Sequence, residues 1–152
     1  MDTTQIERVL SADDVARKIV RGVVPKDGLP NEIAAYPVAY VCNTHRGEDP
    51  GQHWISIFVD AERKGEYFDS YGLPPQHGEF ETFLRDNCSE WTFNEKRLQS
   101  PLSNVCGQYC TVYLLHRCRG IPMKLFVKTF GSDLVYNDCR VFDFIQLCKD
   151  VQ

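Results

Sequence analysis

The feature that most constrains the fold of this 152-residue chain is a run of strand-type segments in its middle third. The segment HWISIFVD (53–60) alternates, so its odd and even residues point to opposite faces of a strand. AERKG (61–65) is typical of a hairpin turn, and EYFDSYG (66–72) predicts the returning strand. Another strand is predicted over Val38–Cys42. At least part of the core is therefore expected around an antiparallel sheet.

Less regular segments flank this sheet. One or two short helices are predicted from Thr4 to about Val20, with Ser11 as an N-cap. Residues 21–32 (RGVVPKDGLPNE) are predicted to be a loop because glycine and proline punctuate them. After the hairpin, a short helix is predicted over Glu79–Asp86 and a strand over 91–99 (WTFNEKRLQ).

The last third of the chain is predicted to be helical. Residues 105–118 (VCGQYCTVYLLHRC) carry apolar side chains at helical spacing. A short helix is expected near 124–130, and a final one from Asn137 or Asp138 to about Lys149. This order predicts an α+β fold in which a mixed, mainly antiparallel sheet packs against helices.

Composition narrows the class of protein. Hydrophobic residues make up 43% of the chain and charged residues 25%, which is typical of a soluble globular protein. The length favours a single domain over 1–152. A net charge of −4 gives no basic field for nucleic acid. With no apolar run for a membrane span and no signal core, an intracellular, non-secreted protein is expected.

Cysteine usage points the same way. The seven cysteines are odd in number and come without a secretion signal, which favours reduced thiols. The absence of a CxxC pair argues against a thiol-redox protein, and the histidines are not spaced like zinc ligands, so no metal site is expected.

Cys106 occupies a position that suits a nucleophile. It lies between the turn-like run SPLSN and the apolar helix that follows. A thiol at a helix N-terminus faces the positive end of the helix dipole, which favours the reactive thiolate. The unpaired backbone N–H groups of such a helix start are also able to stabilise an oxyanion.

Three further residues complete a candidate catalytic set. His53 opens one hairpin strand and Asp69 closes the other, so the two ends lie side by side as base and orienting carboxylate. Gln99, seven residues before Cys106, carries an amide that can donate to the same oxyanion. Each residue alone also has an ordinary interpretation: a buried helix cysteine, a strand-end histidine, a turn aspartate and an exposed glutamine.

Motifs around these residues resemble a known group of enzymes. VCNTHRGEDPGQHW, EYFDSYG and QSPLSNVCGQYC look like the adenain clan of cysteine proteases, which includes adenovirus proteases and SUMO-directed isopeptidases. The likeness spans roughly Val38 to Cys118 and is closer to the adenovirus branch and to related proteases of virus-like DNA transposons. Val105 stands where the isopeptidase branch typically has Asp.

The resemblance implies a permuted papain-like fold and a role for each residue. Cys106 would be the nucleophile, His53 the general base and acid, Asp69 the third member and Gln99 the side-chain donor of the oxyanion hole. The family also has a Trp beside the histidine, and Trp54 is expected either to pack on the imidazole or to lie under the sheet.

The implied function is that of a cysteine endopeptidase processing viral or virus-like capsid or core precursors at Gly-containing sites. The alternatives are an isopeptidase acting on ubiquitin-like modifiers and a non-catalytic binding module. The expected protein is a monomer in the host nucleus or cytoplasm, or in a virion, with a protein substrate and no required cofactor. An activating peptide is a candidate partner; Cys88 would be its attachment thiol, or else a plain strand-start cysteine.

Overall fold

A computed structural model describes residues 1–45 and 53–151, and part of the motif VCNTHRGEDPGQHW (41–54) lies outside them. In chain order its elements are α1 (Thr3–Ala12), β1 (Val20–Pro25), β2 (Val38–Asn43), β3 (Trp54–Val59), β4 (Lys64–Phe68), α2 (Gly78–Asn87), β5 (Glu90–Phe93), α3 (Cys106–Arg117), α4 (Met123–Lys128) and α5 (Leu134–Asp150). Short 3-10 turns cover Ala16–Lys18 and Lys26–Gly28.

The five strands form one mixed sheet in the order β1-β2-β3-β4-β5. The central strands β2, β3 and β4 are antiparallel, and each edge strand runs parallel to its neighbour. Every residue of β2 and β3 is buried, because helices cover both faces of the sheet. The α+β prediction with a mixed sheet is therefore confirmed.

The alternation predicted for the central strand is also observed. Ile55 and Ile57 pack with Phe80 of α2 on one face of the sheet. Trp54 and Phe58 pack on the other face with α1, α3, α4 and α5. Because α3 lies in the middle of this second layer, it is buried on nearly all sides rather than along one stripe.

The N-terminal prediction was partly wrong. Helix α1 begins at Thr3 and is capped by Asp2, whose carboxylate accepts the N–H of Gln5 while the Gln5 side chain accepts the N–H of Asp2. Ser11 lies in the last turn of α1 and is not an N-cap. Just after α1, the Asp13 carboxylate accepts the N–H of Ala16 at 2.8 Å, at the start of the 3-10 turn over Ala16–Lys18.

The loop predicted over 21–32 was wrong as well, because β1 occupies its first part. Gly22 and Pro25 are tolerated there since β1 is an edge strand, with β2 on one side only. Its partner lies beyond a long connection, so local composition carries no sign of the pairing.

Two strand predictions and one helix prediction had wrong boundaries. The strand predicted over 91–99 ends at Phe93, and the returning hairpin strand covers Lys64–Phe68 rather than 66–72. The final helix begins at Leu134, capped by the Asp133 carboxylate, a few residues earlier than expected.

Candidate active site

The β3–β4 hairpin assembles the first part of the site. Its register pairs Ser56 with Phe68, and continuing it past the strand ends sets Tyr71 opposite His53. Asp69 is then a diagonal neighbour of His53 on the same face. The structure brings these side chains together, with His53 Nε2 and Asp69 Oδ1 2.9 Å apart.

Asp69 is held firmly behind the imidazole. Its N–H donates to Asn94 Oδ1 at 2.9 Å, and Asn94 Nδ2 donates back to the Asp69 carbonyl. The Tyr71 N–H donates to Asp69 Oδ1 at 2.8 Å. Because Asp69 is only 3% exposed, water competes little for its carboxylate. The same Asn94 contacts lie at the point where β5 ends.

The aromatic residue on the imidazole is Tyr71. Its ring stacks on His53 with centroids 5.0 Å apart and an interplanar angle of 25°. The Arg97 guanidinium lies 5.2 Å from the centroid of the Tyr71 ring. Trp54 takes the second expected position: it lies in the core under the sheet, and its indole N–H donates to the Met1 carbonyl at 3.1 Å.

Cys106 is the first residue of α3, and its sulfur lies against His53. Burial alone would raise the pKa of the Cys106 thiol, but the hydrogen bond and charge of His53 outweigh burial and lower it. Backbone N–H groups of Trp54 and Gly107 contribute in the same direction.

The imidazole responds in the complementary way. Burial alone would lower the pKa of His53, yet its hydrogen bonds to Asp69 and Cys106 raise that pKa to about 9. Since Asp69 engages Nε2, Nδ1 is the ring nitrogen left for the sulfur. Both shifts favour a thiolate–imidazolium pair, which is the reactive form of a cysteine nucleophile.

Gln99 lies in the same cleft but not at a strand end. Its side chain is fully buried, which excludes the interpretation as an exposed polar residue. Its Oε1 accepts from Ser70 Oγ at 2.6 Å, and its Nε2 donates to the Ser103 carbonyl at 3.0 Å. The role of Gln99 as an oxyanion donor stays a prediction.

These groups open onto a cleft of about 420 Å³. That volume lies within the range typical of ligand sites. Residues lining the cleft are Met1, Thr44, His53, Trp54, Tyr71, Gln99, Ser103, Asn104 and Cys106. Sequence reasoning missed Met1, Ser70, Tyr71 and Asn94; of these, Tyr71 alone had a signal, the hairpin register that sets it opposite His53.

The remaining cysteines differ from Cys106. Burial raises the pKa of Cys88 to about 11, so its half-buried thiol is protonated near neutral pH. Attachment of an activating peptide at Cys88 stays a prediction. Burial also raises the pKa of Cys42 and Cys110, which are fully buried.

The described residues show neither a metal-binding cluster nor a membrane-spanning helix. No group of three or more His, Cys, Asp or Glu side chains is arranged there to hold a metal ion. Within the same part of the chain, none of the helices has the length and apolar character that crossing a bilayer requires.

Known proteins that are similar to this chain include a viral sequence relative and several solved structures. No family model matches the chain. A protein of Acanthamoeba polyphaga mimivirus described as "Putative thiol protease" is 27% identical over 113 residues, covering 68% of this chain and 37% of that protein. The chain thus spans well under half of this relative's length.

Two of the similar solved structures are proteases. The ASFV protease matches with a TM-score of 0.65 at 18% identity, and the match covers 92% of this chain and 65% of the ASFV protease chain. The SUMO protease Ulp1 matches with a TM-score of 0.55 at 13% identity, and the match covers 99% of this chain and 78% of the Ulp1 chain. At these identities the likeness establishes the fold. The chain therefore has the fold that the ASFV protease and Ulp1 share, as its sequence resemblance predicted.

Proposed function

We propose that this protein is a cysteine endopeptidase with Cys106 as its nucleophile. The observation that carries the proposal is the chain of contacts from Asp69 to His53 to the Cys106 sulfur at the head of α3. Nucleophile, base and orienting group stand in the order that acyl transfer requires. Similarity to a mimivirus thiol-protease sequence and to two protease folds supports the same reaction.

Each step of the mechanism uses a group that lines this cleft. The Cys106 thiolate attacks the peptide carbonyl carbon, and the resulting oxyanion accepts from Gln99 Nε2 and from backbone N–H groups at the start of α3. The His53 imidazolium then gives its proton to the leaving amine, and a thioester remains. Neutral His53 next takes a proton from water, hydroxide attacks the thioester, and the acid product leaves as the thiolate–imidazolium pair is restored.

The proposed substrates are precursor proteins of a virus or virus-like element, cut beside Gly. Support for a viral setting comes from the mimivirus and ASFV relatives. Support for small residues comes from the cleft, since the aromatic side chains of Trp54 and Tyr71 line it beside His53. A monomer acting inside the host cell or the virion, with or without an activating peptide, belongs to the same proposal.

Peptide cleavage tests this function. Wild type and Cys106→Ala are incubated with a peptide library that contains Gly or bulky residues on both sides of the cut. We expect wild type to cut the Gly-containing peptides and Cys106→Ala to cut none. Cys139→Ala is the matched control, because this exposed cysteine on α5 lies outside the cleft. Preference for bulky residues would contradict the specificity, and cleavage by Cys106→Ala would contradict the nucleophile.

An isopeptidase acting on ubiquitin-like modifiers is the second candidate. The likeness to the SUMO protease Ulp1 favours it, whereas Val105, at a position where that branch typically has Asp, does not. Vinyl-sulfone derivatives of SUMO and ubiquitin decide between the two. Rapid labelling of Cys106 by either probe would favour the isopeptidase, and labelling by neither alongside cleavage of Gly peptides would favour the endopeptidase.

A further inference from the structure

We propose that Ser70 is a positioning residue that fixes the side-chain amide of Gln99 with its N–H groups toward the cleft. This inference rests on the proposed function and deepens it, because it assigns a second task to the segment that carries Asp69. Ser70 does not line the cleft and has no place in the mechanism given above. It would act through Gln99 and not on the substrate.

Three hydrogen bonds tie Ser70 to the Gln99 segment. The Ser70 carbonyl accepts the N–H of Leu98 at 2.9 Å and the N–H of Gln99 at 3.0 Å. Ser70 Oγ lies 2.6 Å from Gln99 Oε1. Both Ser70 and Gln99 are fully buried, so water does not replace these partners.

The surroundings decide which way the amide points. Gln99 Nε2 lies 3.0 Å from the Ser103 carbonyl oxygen, which accepts hydrogen bonds and never donates them. Turning the amide over would face two carbonyl oxygens toward each other. The nitrogen therefore belongs on the Ser103 side, and the Ser70 hydroxyl must donate to Oε1.

This orientation leaves a hydrogen for catalysis. An amide nitrogen carries two hydrogens, and the Ser103 carbonyl needs one of them. The other hydrogen is donated to Ser103 Oγ, which lies 3.1 Å from Gln99 Nε2. A charged oxyanion accepts more strongly than a neutral hydroxyl, so substrate can take this hydrogen from Ser103 Oγ. Without the Ser70 donor, Oε1 is unpaired and the amide is free to rotate away.

The test compares two reactions of Cys106 that differ in one respect. Acetylation by p-nitrophenyl acetate passes through a tetrahedral oxyanion, whereas alkylation by iodoacetamide does not. Each rate is corrected by subtracting the rate of Cys106→Ala. Ser56→Ala is the matched control, because Ser56 is a serine as fully buried as Ser70. Its hydroxyl donates to the Cys110 carbonyl and has no contact with Gln99 among its hydrogen bonds in the described residues.

Ser70→Ala is expected to lower the acetylation rate about tenfold or more, as Gln99→Ala does, while alkylation stays within about twofold of wild type. The double variant is expected to be no slower than Gln99→Ala alone. Ser56→Ala is expected to leave the ratio of the two rates unchanged. The proposal would be overturned if Ser70→Ala were acetylated at the wild-type rate, or if its alkylation rate fell as much as its acetylation rate. Additive losses of acetylation rate in the double variant would also overturn it.

A measurement that needs no activity separates this inference from the proposed function. In a ¹H–¹⁵N spectrum, the Gln99 side-chain amide is expected to show two separated, exchange-protected resonances that are lost in Ser70→Ala and kept in Ser56→Ala. If wild type is acetylated no faster than Cys106→Ala, the proposed function fails. The spectrum still decides in that case whether Ser70 orients Gln99. Protected resonances in Ser70→Ala would show that it does not.

Discussion

The charge on His53 is set by two neighbours on opposite sides of its ring. Asp69 bonds Nε2 from behind, and the Cys106 sulfur lies on the cleft side. Each contact favours the protonated ring, so together they overcome the burial that would discharge it. The reactive ion pair should exist at pH values between the lowered pKa of Cys106 and the raised pKa of His53.

Alkylation of Cys106 as a function of pH tests this electrostatic arrangement. In wild type the alkylation rate should rise as Cys106 loses its proton. Peptide cleavage, which also needs the proton of the His53 imidazolium, should fall as pH rises through about 9, where His53 loses that proton. Asp69→Asn removes the charge that favours imidazolium, so the pKa of His53 should fall and that of Cys106 should rise. The pH at which iodoacetamide labelling of Cys106 reaches half of its maximal rate should therefore be higher in Asp69→Asn than in wild type.

The asparagine variant is suited to the test because its Oδ1 can still accept the Tyr71 N–H. Asp60→Asn is the control, since the Asp60 carboxylate caps the β3–β4 turn by accepting the N–H groups of Glu62 and Lys64. The same pH profile in Asp69→Asn and wild type would contradict the role given to Asp69.

Some site residues were predictable from sequence and others were not. The alternation of residues 53–60 and the turn after them suffice to bring His53 and Asp69 together. Gln99 was predicted as an oxyanion donor from its position seven residues before Cys106, but its burial was not predicted. Asn94 and Ser70 act through hydrogen bonds to residues more than twenty positions away, and such contacts leave no periodic signal in a sequence.

Helix α3 depends on a close approach at its second residue. A Cβ built on Gly107 would lie 3.2 Å from Met1 Cβ, 3.2 Å from Trp54 Cδ1 and 3.4 Å from Ile6 Cδ1. Glycine therefore lets α3 pack directly against α1 and β3. Because Trp54 adjoins His53, this packing also determines where Cys106 lies relative to His53.

Gly107→Ala is expected to lower the free energy of unfolding by about 1–2 kcal/mol, because the added methyl group must displace Trp54 or α1. Urea titration measures the loss, and Trp fluorescence should report the displaced indole. Gly78→Ala is the matched control: a Cβ there has open space around it, so stability should change by no more than about 0.5 kcal/mol. Equal effects of the two substitutions would refute the packing argument.

At the level of elements, patterns with a local cause were predicted correctly. The strand alternation and helical spacing of the hydrophobic core were sufficient for β2, β3, α2 and α3. Strand β1 was missed because its pairing with β2 is parallel and spans a long connection. The early end of β5 was missed because Asn94 bonds the Asp69 backbone instead of continuing the ladder.

At the scale of the whole molecule, one ionic cluster joins the sheet to two helices. Glu66 of β4 accepts from Tyr113 Oη and, at 3.0 Å, from Arg117 Nε, both on α3. It also accepts the N–H of Met123, the first residue of α4. The Arg117 guanidinium lies 4.1 Å from the ring centroid of Phe58 on β3. The Glu66 and Arg117 side chains are each only 14% exposed.

Removing Glu66 should destabilise the protein more than removing an exposed partner. Glu66→Ala leaves the Arg117 charge largely buried without its carboxylate, and a loss of about 3 kcal/mol or more is expected in urea unfolding. Glu90→Ala breaks a surface pair with Lys64 and should change stability by less than about 1 kcal/mol. Similar losses for both variants would show that the Glu66 cluster contributes little.

The positions of His53, Asp69 and Cys106 along the sequence have a consequence for folding. His53 and Asp69 flank two strands joined by a tight turn, so they can meet early in folding. Cys106 follows much later in the sequence and meets His53 only when α3 docks onto β3. Until that docking the thiol keeps ordinary reactivity. The lowered pKa of Cys106 is therefore a property of the folded chain, because it depends on the contact with His53.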